Sequence, residues 1–184
     1  ESRRSQILEN IEIAEKQRRV LKSKNPTAII REKFGFEILF SSSYRIAKSS
    51  KDFLWVRRDT EKGSVNFYIS KMKNKKSLDI NTIRDSISRK FIPGPTEKTY
   101  MSTDAGYIPK TKVFQLTESL KVIETRGIWE VKDQFMAGPF LNFTVTHRDN
   151  SEEFYILEGF VYSPGTTKRD YIFELEAIFK SIKF

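Results

Sequence analysis

A single histidine and the absence of cysteine limit the chemistry that this chain can perform. His147 is the one histidine among 184 residues, and there is no cysteine. Disulfides, thiolate zinc sites, iron–sulfur clusters, cysteine nucleophiles and metal sites with two imidazoles are therefore excluded. His147 lies beside Arg148 at the end of a predicted strand, and the chain has no Gly-x-Ser-x-Gly elbow. We predict a histidine in a hairpin turn, and we expect no catalytic residue, no metal and no cofactor.

Carboxylates are the next candidates for acid–base chemistry. On the predicted strand 121–131, alternation places Glu124, Arg126 and Glu130 on one side and Trp129 on the other. The pattern favours a polar outer face over a core anchored by Trp129. A hydrolase that uses carboxylates on this polar face remains the alternative.

The densest basic cluster lies between a predicted strand and a predicted helix. It consists of Lys71, Lys73, Lys75 and Lys76, four lysines within six residues. Such a cluster can attract the phosphates of nucleic acid or of anionic lipid. Lysine is a point charge without fork geometry, and neither a Gly-rich anion loop nor an aromatic RNA-binding motif accompanies it. We therefore expect exposed lysines and no specific nucleic-acid site, with polyanion binding by the basic first half as an alternative.

Large apolar side chains in predicted loops are candidates for contact with a partner. The segment 136–140 has a Gly-Pro pair at the entrance of a strand, with Met and Phe on either side. These side chains either tuck under the loop or form an exposed apolar patch. The same two outcomes are open for residues 100–101 and 106–109. The candidate binding residues are Tyr100, Met101, Tyr107, Met136, Gly138, Pro139 and Phe140.

Length and composition indicate one folded domain over residues 1–184. Fifteen Phe and seven Tyr provide ample apolar surface for a core. The formal charge of +9 is unevenly distributed. Residues 1–92 contain 22 Lys and Arg against 11 Asp and Glu, whereas residues 93–184 contain 11 against 13. The positive excess therefore belongs to the first half.

Hydrophobic periodicity predicts an α+β fold. Helical stripes are expected near residues 5–23, 79–91 and 167–182, with a short helix between Asn25-Pro26 and Gly35. Period-two segments within 36–71 and 121–162 predict one mainly antiparallel sheet, covered by helices on one face as a two-layer sandwich. The predicted core contains Trp55, Ile83, Ile87, Trp129, Phe160, Leu175, Ile178 and Ile182.

The two halves are similar enough to suggest an internal duplication. Segments such as Phe67-Tyr68-Ile69 and Phe154-Tyr155-Ile156 recur at an offset near 90 residues, and both copies then enter a helix. A duplicated hairpin-plus-helix unit, with pseudo-halves of about 1–92 and 93–184, is one interpretation. Chance similarity is the other.

An ordered series of short motifs resembles a known protein family. The motifs are Phe91-Ile92-Pro93-Gly94-Pro95, Tyr100-Met101-Ser102-Thr103, Arg126-Gly127-Ile128-Trp129-Glu130-Val131, Met136-Ala137-Gly138-Pro139-Phe140, Gly159-Phe160-Val161-Tyr162-Ser163-Pro164 and Lys168-Arg169. Together they resemble the C-terminal part of a Bacteroidetes envelope lipoprotein family that is known only as a domain of unknown function. The resemblance implies an extracytoplasmic, lipid-anchored protein, with the anchor outside this chain. Because the chain begins with Glu1 and has no apolar signal segment, we expect a processed product or a fragment.

These features favour a non-enzymatic envelope domain that binds or scaffolds another macromolecule, most simply another envelope protein. The binding surface is expected around residues 100–109 and 136–140. We expect no specific nucleic-acid partner and no membrane contact other than the lipid anchor. The sequence indicates neither the ligand nor the oligomeric state.

Overall fold

Eight antiparallel strands and three helices make up the part of the chain that the computed structural model describes, residues 26–73 and 79–184. The helix predicted over 5–23 lies outside these residues. The helices are α1 (Pro26–Phe34), α2 (Ile80–Phe91) and α3 (Arg169–Lys180). The strands are β1 (Arg45–Ser50), β2 (Phe53–Thr60), β3 (Gly63–Lys73), β4 (Met101–Thr103), β5 (Lys110–Gln115), β6 (Leu120–Val131), β7 (Met136–His147) and β8 (Asn150–Tyr162).

The strands form one curled sheet in the order β1-β2-β3-β8-β7-β6-β4. β4 and β5 pair with successive parts of the same edge of β6, and every pair of neighbouring strands is antiparallel. The predicted α+β class and the mainly antiparallel sheet are therefore confirmed.

Local sequence signals determine where the helices begin and end. The Asp79 carboxylate accepts a hydrogen bond from the backbone N–H of Thr82 (3.1 Å) and so caps α2, which ends before Pro93. α1 begins at Pro26 and ends before Gly35, whose φ of 77° suits a glycine after a helix.

The helices do not share one face of the sheet, so the predicted two-layer arrangement is wrong. α1 and α3 pack on one apolar cluster, which contains Phe67 and Ile69, whereas α2 packs on a second cluster, which contains Tyr68. The reason is that the central strands carry buried residues at consecutive positions: β3 is buried without interruption from Ser64 to Ser70. Both faces of such a sheet must be covered.

The segment 36–40, predicted as a strand, fills the core instead. Its one β-bridge among the described residues joins Glu37 to Lys183. Phe36, Ile38 and Phe40 are buried in the cluster beneath α1 and α3. The alternation that predicted a strand thus reflects burial of an extended segment.

The two halves share the order of their strands but not the face on which their helices lie. Each half contributes a three-stranded antiparallel meander, β1–β3 and β6–β8, and a helix follows each meander. A two-fold axis perpendicular to the sheet would relate the meanders but keep both helices on one face. α2 and α3 lie on opposite faces, so this axis does not relate them.

The predicted core is buried with one exception. Seven of the eight core residues named from the sequence are buried, and Trp55 is half-buried. The indole Nε1 of Trp55 donates a hydrogen bond to Asn66 Oδ1 (3.2 Å). Trp55 is therefore at the margin of the core, where the sheet surface opens into a pocket.

Candidate binding site

An aromatic pocket of about 300 Å³ opens on the α2 face of the sheet. This volume is at the lower end of the roughly 300–1,000 Å³ range of ligand pockets. β2, β3, β6 and β8 form its floor, and the chain just after α2 forms one wall. Its lining residues are Trp55, Arg57, Ser64, Asn66, Ile92, Pro93, Gly94, Pro95, Met101, Trp129, Val131, Met136, Phe160 and Tyr162.

The wall after α2 is held by a closed loop. Gly94 donates its backbone N–H to the carbonyl of Thr99 (2.8 Å), and Pro93 bridges to Tyr100. A Cβ at Gly94 would lie 2.3 Å from Thr99 Oγ1, so a glycine is needed for this close approach. The loop therefore presents its prolines to the pocket in fixed positions.

Few polar groups line the pocket. Asn66 is buried, accepts the Trp55 hydrogen bond and donates to Ser64 Oγ (2.9 Å). Trp129 Nε1 is buried and has no hydrogen-bond partner among the described residues. At the rim, Arg57 Nε lies 2.7 Å from Asp59 Oδ1. An apolar ligand group therefore fits this lining best.

Two of the residues predicted for binding line this pocket. Met101 is buried in its wall, and half-buried Met136 lies at its side. Tyr100 is held outside the pocket, where its hydroxyl accepts a hydrogen bond from Arg89 Nη2 (2.5 Å). Tyr107 is exposed on the loop before β5.

The other predicted residues of the 136–140 segment have structural roles. Phe140 is 1% exposed, and the Arg84 guanidinium lies 3.4 Å from its ring centroid, so this side chain belongs to the core and is not an exposed anchor. A Cβ at Gly138 would lie 2.0 Å from the Val161 carbonyl oxygen. Gly138 thus permits close packing rather than an unusual φ. Pro139 lies where β7 pairs with β6 alone, as suits a residue without an N–H.

The most exposed aromatic residue of the described chain was not among the predicted binding residues. Phe135 lies at the tip of the β6–β7 hairpin, directly before Met136, and is fully exposed. A phenylalanine after Lys132, Asp133 and Gln134 was the available signal, since a hairpin turn ordinarily has no apolar residue.

A row of polar residues crosses the same face of the sheet. Tyr68, Glu158, Asn142 and Thr125 are buried and paired in register across four strands, and exposed Thr111 continues the row on β5. Asn142 Nδ2 donates to Glu158 Oε2 (2.9 Å), and the Thr125 and Thr111 hydroxyls are 3.1 Å apart.

Arg84 of α2 closes this row from above. Its Nε and Nη2 donate to the two carboxylate oxygens of Glu158 at 2.6 and 2.8 Å, and its Nη1 donates to Thr103 Oγ1. Thr103 in turn donates to Asp85 Oδ1 (3.0 Å). The Arg84 and Glu158 side chains are 1% and 0% exposed. The pair therefore holds α2 in place and is closed to substrates.

Replacement of Tyr68 by phenylalanine should reduce the loss of stability at alkaline pH. Burial, together with the negative charge of Glu158, raises the pKa of Tyr68 well above its ordinary value of about 10. Above that pH the unfolded chain ionises at this residue while the folded chain stays protonated, so stability falls as pH rises. Urea denaturation at pH values from about 9 to 11 should give a shallower decline for Y68F than for wild type. Equal slopes would contradict the prediction. Some decline should persist, because burial also raises the pKa of Tyr44.

Glu124, one of the two carboxylates considered for hydrolysis on β6, is paired with Arg126 on the opposite face. Arg126 Nε lies 2.5 Å from Glu124 Oε1, and its Nη2 lies 2.5 Å from Glu176 Oε2. Glu124 on the sheet and Glu176 on α3 are both buried, so the face expected to be polar and exposed is covered by α3. Lys112 and Lys180 add ion pairs at 3.2 and 2.8 Å.

The remaining candidates are at the periphery. His147 is in the β7–β8 hairpin, as predicted, and its Nδ1 accepts the backbone N–H of Asp149 (3.2 Å). Of the basic cluster, Lys73 is exposed as predicted, whereas the predicted exposure of Lys71 is wrong: its side chain is half-buried because its Nζ lies 2.9 Å from Glu153 Oε2. Lys75 and Lys76 lie outside the described residues.

Within residues 26–73 and 79–184 there is no group of three or more His, Asp or Glu side chains that could hold a metal ion. No helix in those ranges has the length and apolar character needed to cross a membrane.

Comparison with known proteins identifies a family. A model described as a domain of unknown function (DUF4837) matches residues 23–181, which include every residue that lines the aromatic pocket. No curated protein matches the chain. The predicted resemblance to a family of unknown function is thus confirmed, whereas the lipoprotein and Bacteroidetes assignments stay predictions. Since the match spans most of its length, this chain belongs to the DUF4837 family of domains of unknown function.

Proposed function

We propose that this chain is a non-enzymatic binding domain of a cell-envelope lipoprotein, and that it docks another envelope protein at the aromatic pocket. The observation that carries the proposal is the position of Phe135, a fully exposed aromatic side chain next in sequence to the pocket residue Met136. The hairpin presents an apolar side chain to solvent beside an apolar concavity. This combination is typical of a protein interface.

The hairpin holds Phe135 in a defined position. Gln134 donates its backbone N–H to the Val131 carbonyl (3.0 Å), and Asp133 has a φ of 61°, which fixes the turn. β6 and β7 then pair over twelve residue positions. A rigid aromatic side chain loses little conformational entropy on binding, which favours its use as an anchor.

The pocket complements this anchor with a place for a side chain of the partner. Trp55, Trp129, Phe160 and Tyr162 offer an apolar lining. We therefore infer that the occupant is a protein segment with an apolar side chain. Rim residues such as Arg57 then contact the polar flanks of that segment.

The hydrolase alternative gains no support from the described carboxylates. Glu124, Glu158 and Glu176 are buried, and each lies within 2.6 Å of an arginine nitrogen. Arranged in this way, they stabilise the contacts of α2 and α3 with the sheet.

The proposal is tested by identifying the partner and measuring its affinity. The complete protein is affinity-purified from envelope membranes, and proteins that accompany it are identified and purified. Titration calorimetry then compares wild type with F135A and with V113A, because Val113 is an exposed apolar residue of β5 that pairs with Ile123, far along β6 from the pocket residues Trp129 and Val131. We expect F135A to weaken binding about tenfold or more and V113A to leave the Kd unchanged.

Three results would overturn the proposal. One is equal affinity of F135A and wild type for the partner. The second is a Phe135-dependent dimer in light scattering, since the occupant would then be a second copy of the chain. The third is fractionation of the protein away from the envelope.

A further inference from the structure

A second, basic pocket lies on the α2 face near the β1–β2 turn. Its volume is about 530 Å³. The β1–β2 turn, the end of β3 and the C-terminal half of α2 surround it. Its lining residues are Ser50, Lys51, Asp52, Ser70, Lys71, Met72, Ser86, Ile87, Lys90 and Phe91. None of these residues lines the aromatic pocket, so this site is independent of the proposed protein contact.

Positive charge dominates the basic pocket. Lys51, Lys71 and Lys90 line it, and Asp52 is the single carboxylate in its lining. Lys71 Nζ lies 2.9 Å from Glu153 Oε2. The pairing with Glu153 raises the pKa of Lys71, so this amine stays charged well beyond neutral pH.

More lysines reach the margin of the basic pocket. Lys48 Nζ donates to the carbonyl of Phe91 (3.3 Å), and Lys33 Nζ donates to the carbonyl of Ser50 (2.6 Å). Lys33 and Lys48 therefore add to the positive potential that Lys51, Lys71 and Lys90 create in the pocket.

The frame of the basic pocket is fixed by packing and by backbone contacts. Lys71 donates its backbone N–H to the Asp52 carbonyl (2.9 Å), which joins the β1–β2 turn to β3. The Phe91 ring stacks on Phe53 with centroids 4.0 Å apart. Apolar surface from Met72, Ile87 and Phe91 thus lies beside the ammonium groups.

We propose that the basic pocket binds a phosphate group on a ligand that also has an apolar part. The phosphate lies among Lys51, Lys71 and Lys90, and the apolar part packs on Met72, Ile87 and Phe91. A phospholipid head group and a soluble phosphate ester share this chemistry. Contacts between lysines and phosphates do not distinguish one nucleotide base from another. The proposal therefore agrees with the expectation that there is no specific nucleic-acid site.

Paired charge-neutral variants test the site. K51Q/K90Q removes two exposed lysines that line the pocket, whereas K110Q/K121Q removes two exposed lysines from β5 and β6. The two variants have the same net charge, so general attraction to anions is equal in both. Sedimentation measures binding to vesicles of phosphatidylglycerol and phosphatidylcholine, with pure phosphatidylcholine vesicles as the uncharged arm. Titration calorimetry measures binding of glycerol 3-phosphate and of inorganic phosphate.

We expect wild type to bind a phosphate-bearing probe, K51Q/K90Q to lose about tenfold or more in affinity, and K110Q/K121Q to lose less than threefold. Binding to anionic vesicles without binding of glycerol 3-phosphate would support the site and identify its ligand as a phospholipid. Saturable binding of glycerol 3-phosphate would support the site and identify its ligand as a soluble phosphate ester. Equal losses in the two variants, or no binding of any phosphate probe by wild type, would overturn the proposal. These measurements do not involve Phe135 and so leave the proposed protein partner untouched.

Discussion

Replacement of Arg84 by methionine is expected to lower the free energy of unfolding by about 3 to 5 kcal/mol. The substitution leaves the Glu158 carboxylate buried without its bidentate partner, and uncompensated buried charges cost this much. Asn142 Nδ2 would remain as a hydrogen-bond donor to the carboxylate, but an amide does not neutralise the charge. Urea denaturation monitored by tryptophan fluorescence measures the effect.

The same change at an exposed arginine is the matched control. Arg45 lies 2.8 Å from Asp59, with its side chain 60% exposed, so R45M should cost less than about 1 kcal/mol. In the double variant R84M/E158Q the buried charge is gone, and we expect most of the stability lost in R84M to return. A cost of R84M no greater than that of R45M would show that the Arg84–Glu158 pair does not hold α2 on the sheet.

The helices and the antiparallel pairing could be predicted because their signals are local. Asp79 caps α2 through the Thr82 N–H, three residues away. Gly35 and Pro93 follow the ends of α1 and α2, where neither residue can continue a helix easily. Each of these signals involves residues within a few positions of the helix end, so it can be recognised without knowledge of the tertiary structure.

The faces of the sheet could not be assigned by the same reasoning. Phe67-Tyr68-Ile69 has apolar residues at consecutive positions, so period-two alternation gives no single buried side. β3 is buried at consecutive positions, so both faces of the sheet are covered there. A continuous apolar run in a central strand therefore predicts that other elements pack on both faces of the sheet.

The pocket and the buried ion pair depend on contacts that are distant in sequence. Arg84 and Glu158 are 74 residues apart, and in the sequence Arg84 resembles an ordinary polar position of an amphipathic helix. Met101 and Met136 were predicted to bind from their loop positions, but Asn66 was not, because a lone polar residue in an apolar strand gives no indication of its neighbours. Their proximity follows from the strand order, which the periodicity alone did not determine.

Truncation of Leu175 to alanine should lower the free energy of unfolding by about 2 to 5 kcal/mol. Leu175 is fully buried between α3 and β8, where its side chain lies directly over Gly159. A Cβ built on Gly159 would lie 2.7 Å from Leu175 Cδ1 and 3.0 Å from its Cγ. The absence of a side chain at 159 therefore makes the space that Leu175 fills, and removal of the isobutyl group leaves a cavity there. The urea midpoint measures this loss, and an unchanged midpoint would contradict the assigned packing.

The contact between these two residues makes a stronger test than either change alone. G159A by itself should cost about 1 to 3 kcal/mol, because the new methyl group forces Leu175 from its position. In the L175A background the same methyl group enters the space that the leucine left. The double variant G159A/L175A should therefore be more stable than the sum of the single effects by about 0.5 to 3 kcal/mol. Strict additivity would mean that α3 does not pack on β8 through this pair, and the arrangement of the α1/α3 face would have to be reassigned.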